Sequence, residues 1–197
     1  MQVLWIGCAD SRVPESVIMA CKPGDIFVHR NIANQFHLSD DSAQSVLTYA
    51  VENVKVEHVV VVGHTQCGGI AGAYQMACES GNGPAKAGTT PLLRWLAPLV
   101  ALSSKPEYAS SASDPEARAK ILTAISEANV RAQVENIVNS EAMQGAWADA
   151  NAGTAGRKKV YVHGWVYELE SGRLRDLGVS TGPEGSVGAI FVGGKTA

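Results

Sequence analysis

Apolar positions along the chain alternate between short unbroken runs and stretches of helical spacing. Residues 3–7 and 26–28 are β-rich runs flanking 14–20, a helix-length segment that opens on proline, a residue tolerated at the first helical position. This predicts strand, helix, strand. A polar loop follows Asn31, and over 42–54 Leu47, Ala50, Val51 and Val54 recur at helical spacing. Residues 58–63 then carry four consecutive valines. A β-branched run that short predicts a strand buried on both faces, as in a parallel sheet covered by helices. The alternation predicts an α/β fold with a central, mostly parallel sheet flanked by helices.

The middle of the chain reads as helical, interrupted by a loop over 80–90 rich in Gly, Ala and Thr and a Ser-rich loop over 103–113. Asp114, Pro115 and Glu116 form a helix start: a side-chain cap, a preset φ and an acid near the positive end of the dipole. Ile121, Leu122, Ile125, Val134, Ile137 and Val138 continue it as an apolar stripe to about Ser140. Strand patterns return at 159–169 and 174–179, with a late apolar run at 187–192 between glycines. There is no internal repeat, so one domain over 1–197 is expected.

Composition narrows the function. Apolar residues make up 46% and charged residues 18%, and no window approaches the roughly 18 apolar residues of a membrane span. A net charge of -3 without a basic run leaves no electrostatic footprint for nucleic acid or anionic membrane. Small-molecule chemistry is the expectation. Four cysteines in a chain able to build its own core fit a reducing compartment better than a disulfide framework. The N-terminal residues have no signal-peptide pattern, so a cytoplasmic location is expected, or a mitochondrial one if a leader has been removed.

Two segments carry the candidate chemistry. Cys8-Ala9-Asp10-Ser11-Arg12 lies where the first strand ends, and His64-Thr65-Gln66-Cys67-Gly68-Gly69 where the valine strand ends. Both belong at carboxyl ends of strands, the ligand-binding edge of open α/β sheets, and converge there if their strands are neighbours. Two thiolates and an imidazole form a Cys2His set that leaves a fourth zinc position open. Gly68 and Gly69 would let the backbone approach closely and start a helix. Taken singly, each cysteine is also a good small core residue. From the residues alone, both a metal site and plain packing stay open.

Longer motifs bear on the choice. CADSRVP at 8–14, PGDIFVHRNIAN at 23–34, GHTQCGG at 63–69, HGWVY at 163–167 and LRDLG at 174–178 together resemble the successive signatures of β-class carbonic anhydrases. The resemblance spans nearly the whole chain and is closest to fungal and bacterial members. It implies a zinc enzyme, a lyase that reversibly hydrates carbon dioxide to bicarbonate and a proton. Cys8, His64 and Cys67 would hold one Zn2+ per chain. Asp10 and Arg12 would form the dyad that orients a zinc-held hydroxide toward CO2. Phe27, Ile32 and Tyr49 would line the substrate pocket, and a backbone N–H near Gly68 would face the substrate oxygen.

The resemblance also implies a switch, in which Asp10 becomes a fourth zinc ligand while bicarbonate occupies a pocket made by Trp5, Arg30 and Tyr167. Core packing for Trp5 and Tyr167, with a structural ion pair at Arg30, is the competing expectation. A homo-oligomer, dimer or tetramer, is implied as well. Family members carry helices before the first strand that wrap the partner and contribute a glutamine, whereas this sequence starts at the strand. The 187–192 run is therefore a candidate assembly surface. Cys21, Cys78, His29, His37, His58 and His163 match no ligand role. Two alternatives remain: the same chemistry on carbon disulfide or carbonyl sulfide, and a structural zinc site, for which four closed ligands are expected. The H-x-E and P-C-x-x-C signatures of zinc deaminases are missing.

Overall fold

A computed structural model describes residues 2–80, 88–108, 114–156 and 158–186. Its sheet is built from β1 (Val3–Cys8), β2 (Ile26–Asn31), β3 (His58–His64), β4 (Tyr161–Glu168), β5 (Arg173–Asp176), β6 (Thr181–Gly182) and β7 (Gly185–Ser186). The order is β2-β1-β3-β4-β6-β7, with β5 also pairing β4. The first four strands are parallel and β5, β6 and β7 join antiparallel, as the expected mostly parallel sheet requires. Around it lie α1 (Glu15–Ile18), α2 (Asp41–Tyr49), α3 (Gly68–Glu79), α4 (Pro91–Ser103), α5 (Pro115–Val138) and α6 (Glu141–Asn151). Among the described residues, no helix is long and apolar enough to cross a membrane.

The four valines of β3 divide between the faces. Val59 and Val61 join Leu4, Ile6 and Val162 under α2, α5 and α6, while Val60 and Val62 join Trp5 on the other side. All four are buried, each contributing about 2 kcal/mol of burial free energy. Helix α5 reaches the sheet through Gly164, where an added Cβ would lie 2.7 Å from Val179 Cγ2 and 2.9 Å from Val130 Cγ1. Only glycine permits that approach.

Several boundaries differ from the sequence expectation. Pro14 caps the first short helix from outside and does not open it. The 42–54 helix begins under an Asp40 cap, and its last turn, Ala50–Val54, widens to π geometry before Lys55 stops it at φ 58°. That wider turn buries Ala50 and Val51 together. Strand β2 runs on to Asn31. Helix α6 was not anticipated: its residues are mostly small, and Ser140 starts it by accepting from the Met143 N–H. Asp114 caps α5 as expected, accepting from the Ala117 N–H at 2.7 Å. The 187–192 run lies outside the described residues.

Candidate metal centre

With β1 between β2 and β3, the carboxyl end of β1 is the point where strand order reverses and the following segments part. Cys8 is the last residue of β1 and His64 the last of β3; Cys67 caps the N-terminus of α3 three residues later. The neighbouring strands bring the two motifs together. Cys8, His64 and Cys67 are all buried, with their ligand atoms within 4.8 Å of one another, and they are the one such trio among the described residues.

The atoms fit a metal. The sulfurs of Cys8 and Cys67 lie 4.0 Å apart, too far for a disulfide but close to the roughly 3.8 Å spanned by two 2.3 Å Zn–S bonds at a tetrahedral angle. His64 Nδ1 donates to the Thr65 carbonyl at 2.8 Å. That bond leaves the Nε2 lone pair free, and Nε2 is buried without a hydrogen-bond partner. Either thiol can donate across this contact, and the pair parts in opposite directions: the contact with Cys67 lowers the Cys8 thiol, and the same contact raises that of Cys67. A cation held here would require both sulfurs as thiolates, so its binding would release the protons they carry. Main-chain N–H groups assist: Ala33 and Asp10 toward Cys8, Gly69 and Ile70 toward Cys67 at the start of α3.

Asp10 and Arg12 stand beside the trio. Arg12 Nη2 donates to Asp10 Oδ2 at 2.6 Å, and Arg12 Nε to Oδ1 at 3.0 Å; the Arg12 main-chain N–H adds a bond to Oδ1 at 2.9 Å. These bonds hold the Asp10 carboxyl well below the usual carboxylate range. Asp10 Oδ2 lies 4.0 Å from His64 Nε2, next to the space the three ligand atoms face. Arg12 Nη2 is anchored in turn by the Gln66 carbonyl at 3.1 Å.

The expected substrate-pocket residues are more open in the single chain. Ile32 is 43% and Tyr49 54% exposed, and Tyr49 stacks on Phe27 with ring centroids 6.0 Å apart. Ile32 borders the centre through Gly69, whose added Cβ would lie 2.9 Å from Ala33 Cβ and 3.1 Å from Ile32 Cγ2. Gly69 is thus the tight glycine, while Gly68 meets nothing. Trp5 is 2% exposed, its indole lying over Gly7 with Nε1 unpartnered. Arg30 is committed to the main chain: Nε donates to the Cys8 carbonyl at 2.7 Å and Nη2 to that of Asp10. Its Nη1 lies 3.8 Å from Glu15 Oε2. Tyr167 pairs in register with His64 and packs beside Trp5.

Sequence reasoning missed a second layer of residues. Asn129 and Gln133, buried on α5, bond the loop that carries Ala33, and Glu170 binds the Thr65 and Gln66 side chains. The amides interrupt an otherwise apolar stripe, a signal that was legible; nothing local points to Glu170. All four cysteines are free, and among the described residues His29, His37, His58 and His163 join no metal-type cluster.

A buried Cys2His trio that could hold a metal ion lies at the switch point of a parallel sheet, flanked by a carboxylate–guanidinium pair, with the ligand number of three that leaves a position open. A family model described as carbonic anhydrase matches residues 3–174. A carbonic anhydrase of Emericella nidulans is 35% identical over 90% of this chain and 70% of its own length, and one of Pseudomonas aeruginosa is 32% identical over 89% and 73%. A structure from work on two tetrameric β-carbonic anhydrases of Sordaria macrospora superposes with a TM-score of 0.74 at 34% identity, covering 91% of this chain and 82% of that one. A Coccomyxa β-carbonic anhydrase in complex with acetazolamide gives 0.70 at 31% identity, covering 89% and 71%. The chain belongs to the β-class carbonic anhydrases, enzymes of the lyase class.

Proposed function

We propose that this chain hydrates carbon dioxide reversibly to bicarbonate and a proton, with one zinc ion held by Cys8, His64 and Cys67. The observation that carries the proposal is His64 Nε2, buried, without a partner and grouped with the two cysteine sulfurs. When bound there, zinc lowers the pKa of a coordinated water and so makes a nucleophile available near neutral pH.

The protein's part follows from the dyad. Cys8 and Cys67 as thiolates would cancel the charge of a bound zinc ion, so the residues around the trio would have to assist more than at a three-histidine site. Asp10, with Oδ2 4.0 Å from His64 Nε2, would accept a hydrogen bond from a water or hydroxide beside the trio and so orient its oxygen toward carbon dioxide. Arg12 keeps the carboxylate ionised and fixed through its forked bonds. Ile32, beside Gly69, forms one apolar wall for the substrate, with Phe27 and Tyr49 further along.

Self-association into a dimer or tetramer is part of the reading. Strand β2 ends the sheet order, and Val28, Ile32 and Tyr49 are exposed near it.

The test is stopped-flow hydration of carbon dioxide with zinc content measured on the same samples, for wild type and Cys67→Ser. Wild type is expected to carry one zinc and to turn over; Cys67→Ser is expected to lose both. Full zinc occupancy without hydration in the wild type would overturn the reading in favour of a structural site.

A further inference from the structure

The Thr65–Gln66 pair supplies two main-chain acceptors to the centre. The Thr65 carbonyl accepts a hydrogen bond from His64 Nδ1 at 2.8 Å, and the Gln66 carbonyl accepts one from Arg12 Nη2 at 3.1 Å. One peptide unit apart, these oxygens orient both the imidazole and the guanidinium that fixes Asp10. The turn that presents them is not relaxed: Gln66 has φ 55°, a left-handed conformation that costs a non-glycine residue about 1 kcal/mol. Something outside the turn must hold it.

Glu170 does so. In the turn between β4 and β5, its Oε2 accepts from Thr65 Oγ1 at 2.8 Å and its Oε1 from Gln66 Nε2 at 2.6 Å. Thr65 Oγ1 also accepts from the Leu169 N–H at 3.0 Å, and the Thr65 N–H donates to the Tyr167 carbonyl at 3.0 Å. A single carboxylate therefore grips both side chains of the dipeptide whose carbonyls aim His64 and Arg12. We propose that Glu170 is a positioning residue for the reaction, acting through Thr65 and Gln66 on the Asp10–Arg12 dyad and on the His64 ring. It touches neither the ligand atoms nor the dyad. The inference rests on the carbonic anhydrase reading of the site.

The variants are Glu170→Ala, which removes the grip, and Glu170→Gln, which keeps it because the exposed Gln66 amide can turn over and accept from the new Nε2. Each is prepared as the full chain loaded with zinc, and separately with cobalt(II) as a spectroscopic probe of ligand geometry. Partners one shell out from a metal centre typically matter by 10- to 100-fold. At the lower end of that range, Glu170→Ala is expected to cut kcat about tenfold with KM within about twofold, to move the kcat pH profile upward and to alter the cobalt spectrum. Glu170→Gln is expected to stay near wild type on all three. Glu170→Ala matching wild type in profile and spectrum would overturn the proposal, as would a loss that merely follows metal content or is shared equally by Glu170→Gln. If wild type itself does not hydrate carbon dioxide, the functional reading fails and the cobalt spectrum decides this proposal alone: a change in Glu170→Ala supports it, no change overturns it.

Discussion

Asn129 Nδ2 donates to the Ala33 carbonyl at 3.0 Å, tying the middle of α5 to a left-handed turn beside the metal centre. Ala33 and Asn34 have φ 60° and 46°, and the Ala33 N–H serves the Cys8 sulfur. The Asn129 Oδ1 atom meanwhile accepts from Gln35 Nε2 at 2.6 Å and from Gln133 Nε2 at 3.0 Å. Asn129→Ala would strand the buried Gln133 amide donor and take one bond each from Gln35 Nε2 and the Ala33 carbonyl, which keep only their 3.0 Å bond to each other. The expected loss is about 3 kcal/mol in urea unfolding, with zinc affinity reduced because the Ala33 turn relaxes. A change under about 0.5 kcal/mol would mean that the network is dispensable.

Removing the Asp10 charge separates ligation from chemistry. Its two oxygens are engaged by Arg12, and the three ligand atoms belong to other residues. Asp10→Asn should keep zinc near one per chain while hydration falls on the order of 100-fold. If zinc disappears with the carboxylate, Asp10 is a ligand and not an orienting group.

His163 supplies a pH dependence unrelated to the centre. It lies fully buried, with Nε2 3.0 Å from His58 Nδ1 and Nδ1 2.9 Å from Ser180 Oγ. Burial, and then the neighbouring His58, push its pKa down to about 4. The unfolded value is about 6.5. Above that, neither state is protonated and stability is complete. Between about 6.5 and 4 the unfolded chain takes up the extra proton, so stability falls with pH by up to about 3 kcal/mol. Urea unfolding from pH 7.5 to 4.5 should give a steeper decline for wild type than for His163→Gln; parallel curves would refute the assignment.

Local signals carried much of the fold. The valines of β3 had one reasonable placement, and Asp114-Pro115 announced α5 by chemistry that needs no tertiary partner. Cys8 and His64 could be placed at strand ends because glycine, proline and polar residues follow each apolar run. What stayed hidden depends on remote contacts. Glu170 meets Thr65 across 105 positions, and no spacing rule links them. Helix α6 has an Ala-rich face too bland to announce itself. Ile32 and Tyr49 were expected in a pocket, and in the single chain both sit at the surface.

The strand order has a consequence for how the molecule assembles. Strand β1 pairs with β3 and not only with its sequence neighbour β2, and β3 pairs with β4 from about 100 residues later. Cys8 and Cys67 come together only when the 59-residue span between them has closed. That closure is entropically slow, and the pairing of β4 adds a longer one. A nascent or partly unfolded chain therefore offers metal ions at most the local His64–Cys67 pair, without Cys8. Metal uptake should follow sheet closure, and a bound ion should then act as a cross-link that slows the chain's reopening.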